Sequence, residues 1–187
     1  ADGSLSKAYR LPCGIKRIVA DGDAIIVSTV DGLVYQADQS QVRLVMRARV
    51  ANTYCVDARA GNVAVSDAAG GVSLFDWSGK LLWETKSSGC SGWMVCLDDT
   101  SVFHGHSEGV SAYDLHGKPL WHRADLRDVM FGIQDDLFIY VASGGNLHQI
   151  HKLDGTDGDR WSMGSSLCAA VSAECVYASA VSCFDAR

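Results

Sequence analysis

Short apolar runs alternate with tight polar turns along the whole chain. IKRIVADGDAIIVSTVDGLVYQAD (residues 15–38) reads as strand, turn, strand, turn, strand. The runs are rich in Val, Ile, Phe and Tyr and end at Asp-Gly, Gly-Gly or Glu-Gly, the residues that tight hairpins need. The same order recurs in NTYCVDARAGNVAVSDAAGGVSLFD (52–76), GWMVCLDDTSVFHGHSEGVSAYD (92–114) and DVMFGIQDDLFIYVASGGNLHQIHKLD (128–154). SLCAAVSAECVYASAVSCFD (166–185) repeats it with a shorter second turn. No stretch keeps a 3.6-residue apolar period between caps, so no helix is expected. Pro12 and Pro119 fall at strand or turn edges, where a missing donor is tolerated.

A fourth strand completes each unit. LFDWSGKLLWE (74–84) matches AYDLHGKPLWH (112–122), with Asp76 on Asp114, Gly79 on Gly117, Lys80 on Lys118 and Trp83 on Trp121, each 38 residues on. Trp161 follows Trp121 by 40 residues, and Asp38 precedes Asp76 by 38, with Met46 near the Trp position. A period in this range marks a stacked array in which no unit buries both faces alone. The pattern predicts one all-β domain over residues 1–187, a β-propeller of five four-stranded antiparallel blades. The blades fall at 13–48, 52–86, 92–124, 128–163 and 165–187, the last joined by 1–11. Within a blade the strands run a to d, from the axis outward.

The fifth copy ends after strand c, and FDAR followed by ADGSLSKAYRLP reads like FDWSGKLLWETKSS. The N-terminal strand 5–10, with Tyr9 near the Trp position, is therefore expected to close the last blade. The competing completion is a larger ring, built with further chain or a second subunit. Trp83, Trp121 and Trp161 are expected to pack between blades. The recurring Asp38, Asp76, Asp114 and Asp185 are expected to cap turns through backbone N–H groups.

The unit FDxxGKxLW, carried by Asp76, Gly79, Lys80 and Trp83 and again by Asp114, Gly117, Lys118 and Trp121, resembles the PQQ-like repeat of quinoprotein-type propellers. The resemblance implies the fold. No residue matches a quinone or calcium site, so it implies no cofactor. Propellers of this kind that lack the quinone act as protein-binding scaffolds. The paired GH and WD dipeptides of the WD40 family do not recur. Five-bladed rings are similar to tachylectin-type lectins in blade number only.

Composition narrows the function. Hydrophobic residues make up 48% and charged residues 20%, which is globular, and the formal net charge of −6 disfavours non-specific nucleic-acid binding. No apolar run approaches the roughly 18 residues of a spanning helix. Cys13, Cys55, Cys90, Cys96, Cys168, Cys175 and Cys183 are odd in number, and most sit among Val, Ala and Leu. Buried, reduced thiols and a cytoplasmic setting are expected. A Cys175–Cys183 disulfide, and export after leader cleavage, stay open.

No GxSxG, GxxxxGK[ST] or HExxH motif occurs, so no catalytic residue is assigned and a non-enzymatic role is expected. His104 and His106 share one face of a strand, but His116 and His122 are placed near the other end of the blade, so no metal is expected. Asp98-Asp99 and Asp135-Asp136 belong to turns between strands a and b. Loops d–a and b–c gather at one face of the ring, where ligands use positions at which the copies differ. The candidate partner-binding residues there are Lys16, Arg49, Tyr54, Trp93, His106, Glu108 and Asn146. Tyr54 and Trp93 enter strand a at equivalent places, with Lys16, Val129 and Ser166 in the other copies. An aromatic pair beside Lys16 suits a peptide, a sugar or simple plugging of the channel mouth. The leading expectation is a scaffold that engages a protein or peptide partner. The alternative is a glycan-binding lectin, which requires the same pocket in every blade. A glycosidase would need inward carboxylates on strand a, for which Asp57 and Asp128 are the candidates.

Overall fold

The computed structural model describes residues 8–38, 40–47, 53–86, 91–163, 165–171 and 176–181, with Lys86 and the last two segments as backbone alone. The first sheet holds β1 (Ile15–Asp21), β2 (Ala24–Thr29), β3 (Leu33–Ala37) and β4 (Val42–Arg47). The second holds β5 (Thr53–Arg59), β6 (Asn62–Asp67), β7 (Gly71–Asp76) and β8 (Leu81–Lys86). The third holds β9 (Gly92–Leu97), β10 (Ser101–His106), β11 (Gly109–Asp114) and β12 (Pro119–Arg123). The fourth holds β13 (Gly132–Gln134), β14 (Phe138–Ser143), β15 (Asn146–His151) and β16 (Asp157–Ser162). Each is antiparallel in sequence order, and β17 (Ser165–Val171) pairs with β18 (Val176–Val181) in a two-stranded sheet.

Paired residues share a face, so the registers decide which side chains meet the neighbouring sheet. Ile26, Val34 and Met46 of the first sheet pack on Val56, Val63 and Phe75 of the second. Ala64, Val72 and Leu74, on the other face of the second, meet Val95, Leu97 and Val102 of the third. Met94, Phe103 and Val110 in turn meet Ile139, Val141 and Ile150 of the fourth. Both faces of the middle sheets are thus buried. Their strands accordingly read as continuous apolar runs instead of alternating. First strands contact first strands along the series β1, β5, β9, β13 and β17. This is the radial stacking of a propeller, with the first strand of each sheet at the axis.

A tryptophan latch ties the outer strands of the second and third sheets to the sheet that follows. Trp83 Nε1 donates to the Leu115 carbonyl at 3.1 Å, and Trp121 Nε1 to the Lys152 carbonyl at 2.8 Å. The rings lie on Gly117 and Gly155, at φ 84° and 72°, where an added Cβ would sit 2.9 and 2.8 Å from ring carbons. Glycine therefore serves twice here, by admitting the left-handed turn and by leaving room for the indole. The first sheet has Met46 in place of the Trp, and Arg43 Nη2 donates to the Trp77 carbonyl at 3.1 Å instead. Asp76 and Asp114 cap the turns as expected, each accepting two backbone N–H groups through Oδ1 at 2.8–3.1 Å. These bonds, led by the Ser78 hydroxyl for Asp76 and the Lys118 amide for Asp114, hold both carboxyls below the usual range.

Of the five expected blades, four are complete among the described residues. Four sheets have four strands, and the fifth has two. The expected third strand of that blade lies almost wholly in residues 182–187, outside the described residues; of the expected closing strand 5–10 only residues 8–10 are described, and they form no strand. Among the described residues, no sheet covers the leading face of the first sheet. Ile18 and Ile25 on the leading face of the first sheet are 58% and 43% exposed, whereas Val56 and Val63, 38 residues on, are 0% exposed beneath their neighbour. Asp185, Cys90, Cys175 and Cys183 also lie outside the described residues. Cys55 and Cys96 are buried free thiols, and burial raises the pKa of both.

Candidate functional site

Four of the five first strands, β1, β5, β9 and β17, carry a β-bulge at the same place, and the first three of these have described side chains. In β1, Ile15 pairs with Thr29 and Arg17 with Ser28, which leaves Lys16 as the extra residue. In β5, Thr53 pairs with Asp67 and Cys55 with Ser66, leaving Tyr54. In β9, Gly92 pairs with His106 and Met94 with Gly105, leaving Trp93. A bulged residue escapes the two-residue alternation and is re-aimed out of the sheet face. The bulges therefore explain how a lysine and two aromatics leave faces that are otherwise filled by core residues.

Their side chains converge on one pocket of about 210 Å³ at the axial end of the sheets, lined by Lys16, Arg17, Tyr54, Trp93, Met130 and Phe131 among others. All four four-stranded sheets, or the connections leading into them, contribute. Lys16 Nζ sits 4.0 Å from the Tyr54 ring centroid, a cation–π contact that holds the ammonium at the pocket wall. Among the described residues, no ion pair joins Lys16 or Arg17 to a carboxylate.

The structure brings Lys16, Tyr54 and Trp93 together, and His106, Glu108 and Asn146 do not line their pocket. Val129, expected at the equivalent place in the fourth copy, is fully buried in the core. Phe131 takes that place, because β13 begins only at Gly132 and the connection before it turns Val129 inward. In β17 the bulge falls between Ser166 and Cys168, so the equivalent position is Leu167, not Ser166. Arg49 lies outside the described residues. Glu108 is exposed in the β10–β11 turn, where its backbone N–H reaches His106 Nδ1 at 3.3 Å. Asn146 Nδ2 donates to the Gly144 carbonyl at 3.0 Å and holds its own turn. Sequence reasoning missed Arg17, Met130 and Phe131, although counting 38 residues from Trp93 leads to Phe131.

His106 is a buried member of a polar row, not a mouth residue. Its ring stacks on His122 at 5.6 Å with a 6° interplanar angle, and Ser111 Oγ bridges their ring nitrogens at 3.1 and 3.0 Å. The placement of His122 near the other end of the blade is thus corrected, since β12 runs back toward the β10–β11 turn and sets His122 opposite Ser111. His104 sits 5.2 Å from His106 and contacts Ser66 Oγ at 3.0 Å. Burial, aided by the nearby His106, pushes the His104 pKa down to about 3, so the ring is neutral. Among the described residues, no group of three His, Cys, Asp or Glu side chains is arranged to hold a metal ion.

The two glycosidase candidates do not share a setting. Asp57 lies on β5, where its carboxylate accepts the N–H of Leu97 at 2.7 Å and of Ala58 at 2.9 Å. Burial nevertheless raises its pKa to about 6. Asp128 is outside β13, in the preceding connection, at φ 55°. At the opposite end of the sheets, a cleft of about 320 Å³ between the third and fourth sheets contains both aspartate pairs. One pair is matched, Asp99 with Arg59 at 2.9 Å and Asp98 with Lys152 at 3.1 Å. Asp98 and Asp135 cap their turns, as expected.

Solved structures place the architecture. The chain is similar to the computationally designed Ika8 protein over 89% of its length, with a TM-score of 0.75 and 12% identity. It is similar to BamB from Moraxella catarrhalis over 87%, with a TM-score of 0.65 and 19% identity. A third likeness, to the WD40 β-propeller domain of Doa1, covers 86% of this chain and 73% of that one, with a TM-score of 0.59 and 11% identity. The fold is a β-propeller. The chain spans 55% and 57% of the Ika8 and BamB chains, so it corresponds to little more than half of each. No family model matches the sequence, and no curated protein does.

Proposed function

We propose that this propeller is a non-enzymatic scaffold that grips a peptide segment of a protein partner at the mouth of its axial channel. The single observation that carries the reading is the bulge repeated at one point of β1, β5 and β9, which sends Lys16, Tyr54 and Trp93 into a common pocket. Bulges disrupt pairing at a cost, and they recur beside functional sites. The pocket, at about 210 Å³, is below the usual range for small-molecule sites and suits one anchoring side chain of a larger partner. Aromatic residues with an adjacent cation are the composition of binding hot spots. A lectin would instead repeat its pocket between blades, whereas here the aromatics of several blades share one. The buried free thiols Cys55 and Cys96 favour a reducing compartment for this work.

The same proposal includes a fifth blade of PQQ-like repeat type, completed by the N-terminal segment. Tyr9 Oη donates to the Asp38 carbonyl at 3.1 Å, which repeats across the first sheet the latch that Trp83 and Trp121 make to the next turn. A fifth blade so placed would cover Ile18 and Ile25. Photo-crosslinking tests the binding reading. A benzoylphenylalanine at Tyr54 should capture a defined partner peptide, and one at Leu120 on the outer strand should not. Capture at Leu120 alone refutes the channel-mouth site.

A further inference from the structure

The pocket's walls are chemically divided, and the division specifies an occupant. Tyr54, Trp93, Met130 and Phe131 give an apolar floor and sides, while Lys16 and Arg17, adjacent on β1, put two cations on one edge. The formal net charge is −6, yet neither cation is in an ion pair with a carboxylate among the described residues. Other exposed cations among the described residues, such as Lys80 and Lys118, also lack an ion pair, so what sets Lys16 and Arg17 apart is that both line the same apolar pocket. Lys16 is held over the Tyr54 ring, so its ammonium is already ordered beside the apolar surface. A carboxylate brought there meets two positive charges and breaks no ion pair among the described residues, although Arg17 also feels the Asp57 carboxylate. An apolar side chain next to that carboxylate would fill the aromatic pocket.

We infer that the mouth selects an extended acidic peptide in which a glutamate or aspartate stands beside a large apolar residue. The inference rests on the peptide-gripping reading above and adds the chemistry of the peptide. Phosphate binding alone is a poor match, because the larger part of the pocket wall is apolar and would stay uncovered. The carboxylate contributes through charge at a partly exposed site, so its effect is salt-dependent.

Fluorescence anisotropy with three labelled peptides tests this on the full chain. The peptides share one sequence and differ only in carrying Glu-Phe, Gln-Phe or Lys-Phe at the centre. Glu-Phe is expected to bind at least about tenfold more tightly than Gln-Phe at low salt, and Lys-Phe more weakly than either. In the Lys16→Gln/Arg17→Gln protein the Glu-Phe and Gln-Phe affinities should become equal while the melting temperature is unchanged, since both side chains are exposed. Equal binding of Glu-Phe and Gln-Phe to the wild type, with loss of both in Trp93→Ala, overturns the acidic preference and leaves the peptide site standing. No binding of any peptide overturns both. Displacement of Glu-Phe by equimolar inorganic phosphate also overturns the inference, because the site would then read an anion alone.

Discussion

Replacing Trp121 by Phe separates the latch from ordinary ring burial. Trp121 packs 5.9 Å from Phe103, lies on Gly155 and donates its indole N–H to the Lys152 carbonyl at 2.8 Å. Phenylalanine keeps an aromatic ring against Phe103 but loses the donor and part of the ring area over Gly155. The lost hydrogen bond costs about 1 kcal/mol, and the reduced contact adds a similar amount at most, for a total of about 1–2 kcal/mol. With a urea slope near 2 kcal/mol/M, the unfolding midpoint should fall by about 0.5–1 M. Trp161 is the internal control. It occupies the same place on β16, is 39% exposed, and makes no indole hydrogen bond among the described residues. Trp161→Phe should therefore cost less than about 0.5 kcal/mol. Urea unfolding followed by circular dichroism gives both values. Equal midpoint shifts for the two variants would refute the latch.

Two further outcomes follow from the same geometry. Asp57 is raised from an ordinary 3.8 to about 6, so its contribution to stability is fully present below pH 3.8 and is lost as pH rises through 6; wild type should lose about 2–3 kcal/mol more than Asp57→Asn between pH 4 and pH 7. Parallel pH profiles in urea unfolding would contradict that assignment. Gly155→Ala should destabilise by more than Gly22→Ala as measured by melting temperature, because both have positive φ (72° and 59°) but only Gly155 has an indole within 2.8 Å of the added Cβ. Equal losses would show that the turn conformation alone sets the cost.

Strand order, sheet boundaries and turn caps were legible because the repeat places chemically similar residues 38 apart. Asp76 and Asp114 cap turns, and Trp83 and Trp121 bridge sheets, as that spacing implies. The candidate site was legible only where a copy departed from its neighbours. Tyr54, Trp93 and Lys16 stood out as unlike residues at one position, but nothing in a strand pattern reveals a bulge that is visible only as a shift in pairing. Val129 was misplaced for the same reason, since the late start of β13 moves the equivalent position by two residues to Phe131. His122 was misplaced by reading its distance along the chain, when antiparallel return had set it opposite Ser111. A fifth repeat was readable in the sequence, and β17 and β18 occupy its first two strands, while most of its expected outer half lies outside the described residues.

The chain's four methionines offer the most direct test of the channel-mouth site. Met94 and Met130 line the pocket, Met46 is buried between the first two sheets, and Met163 follows β16. Methyl NMR of protein labelled at the methionine methyl groups, titrated with the captured partner peptide, reads all four at once. The account predicts that the Met94 and Met130 resonances move in step with binding while Met46 and Met163 stay fixed. Saturable binding that moves Met46 or Met163 and leaves Met94 and Met130 unchanged would contradict it.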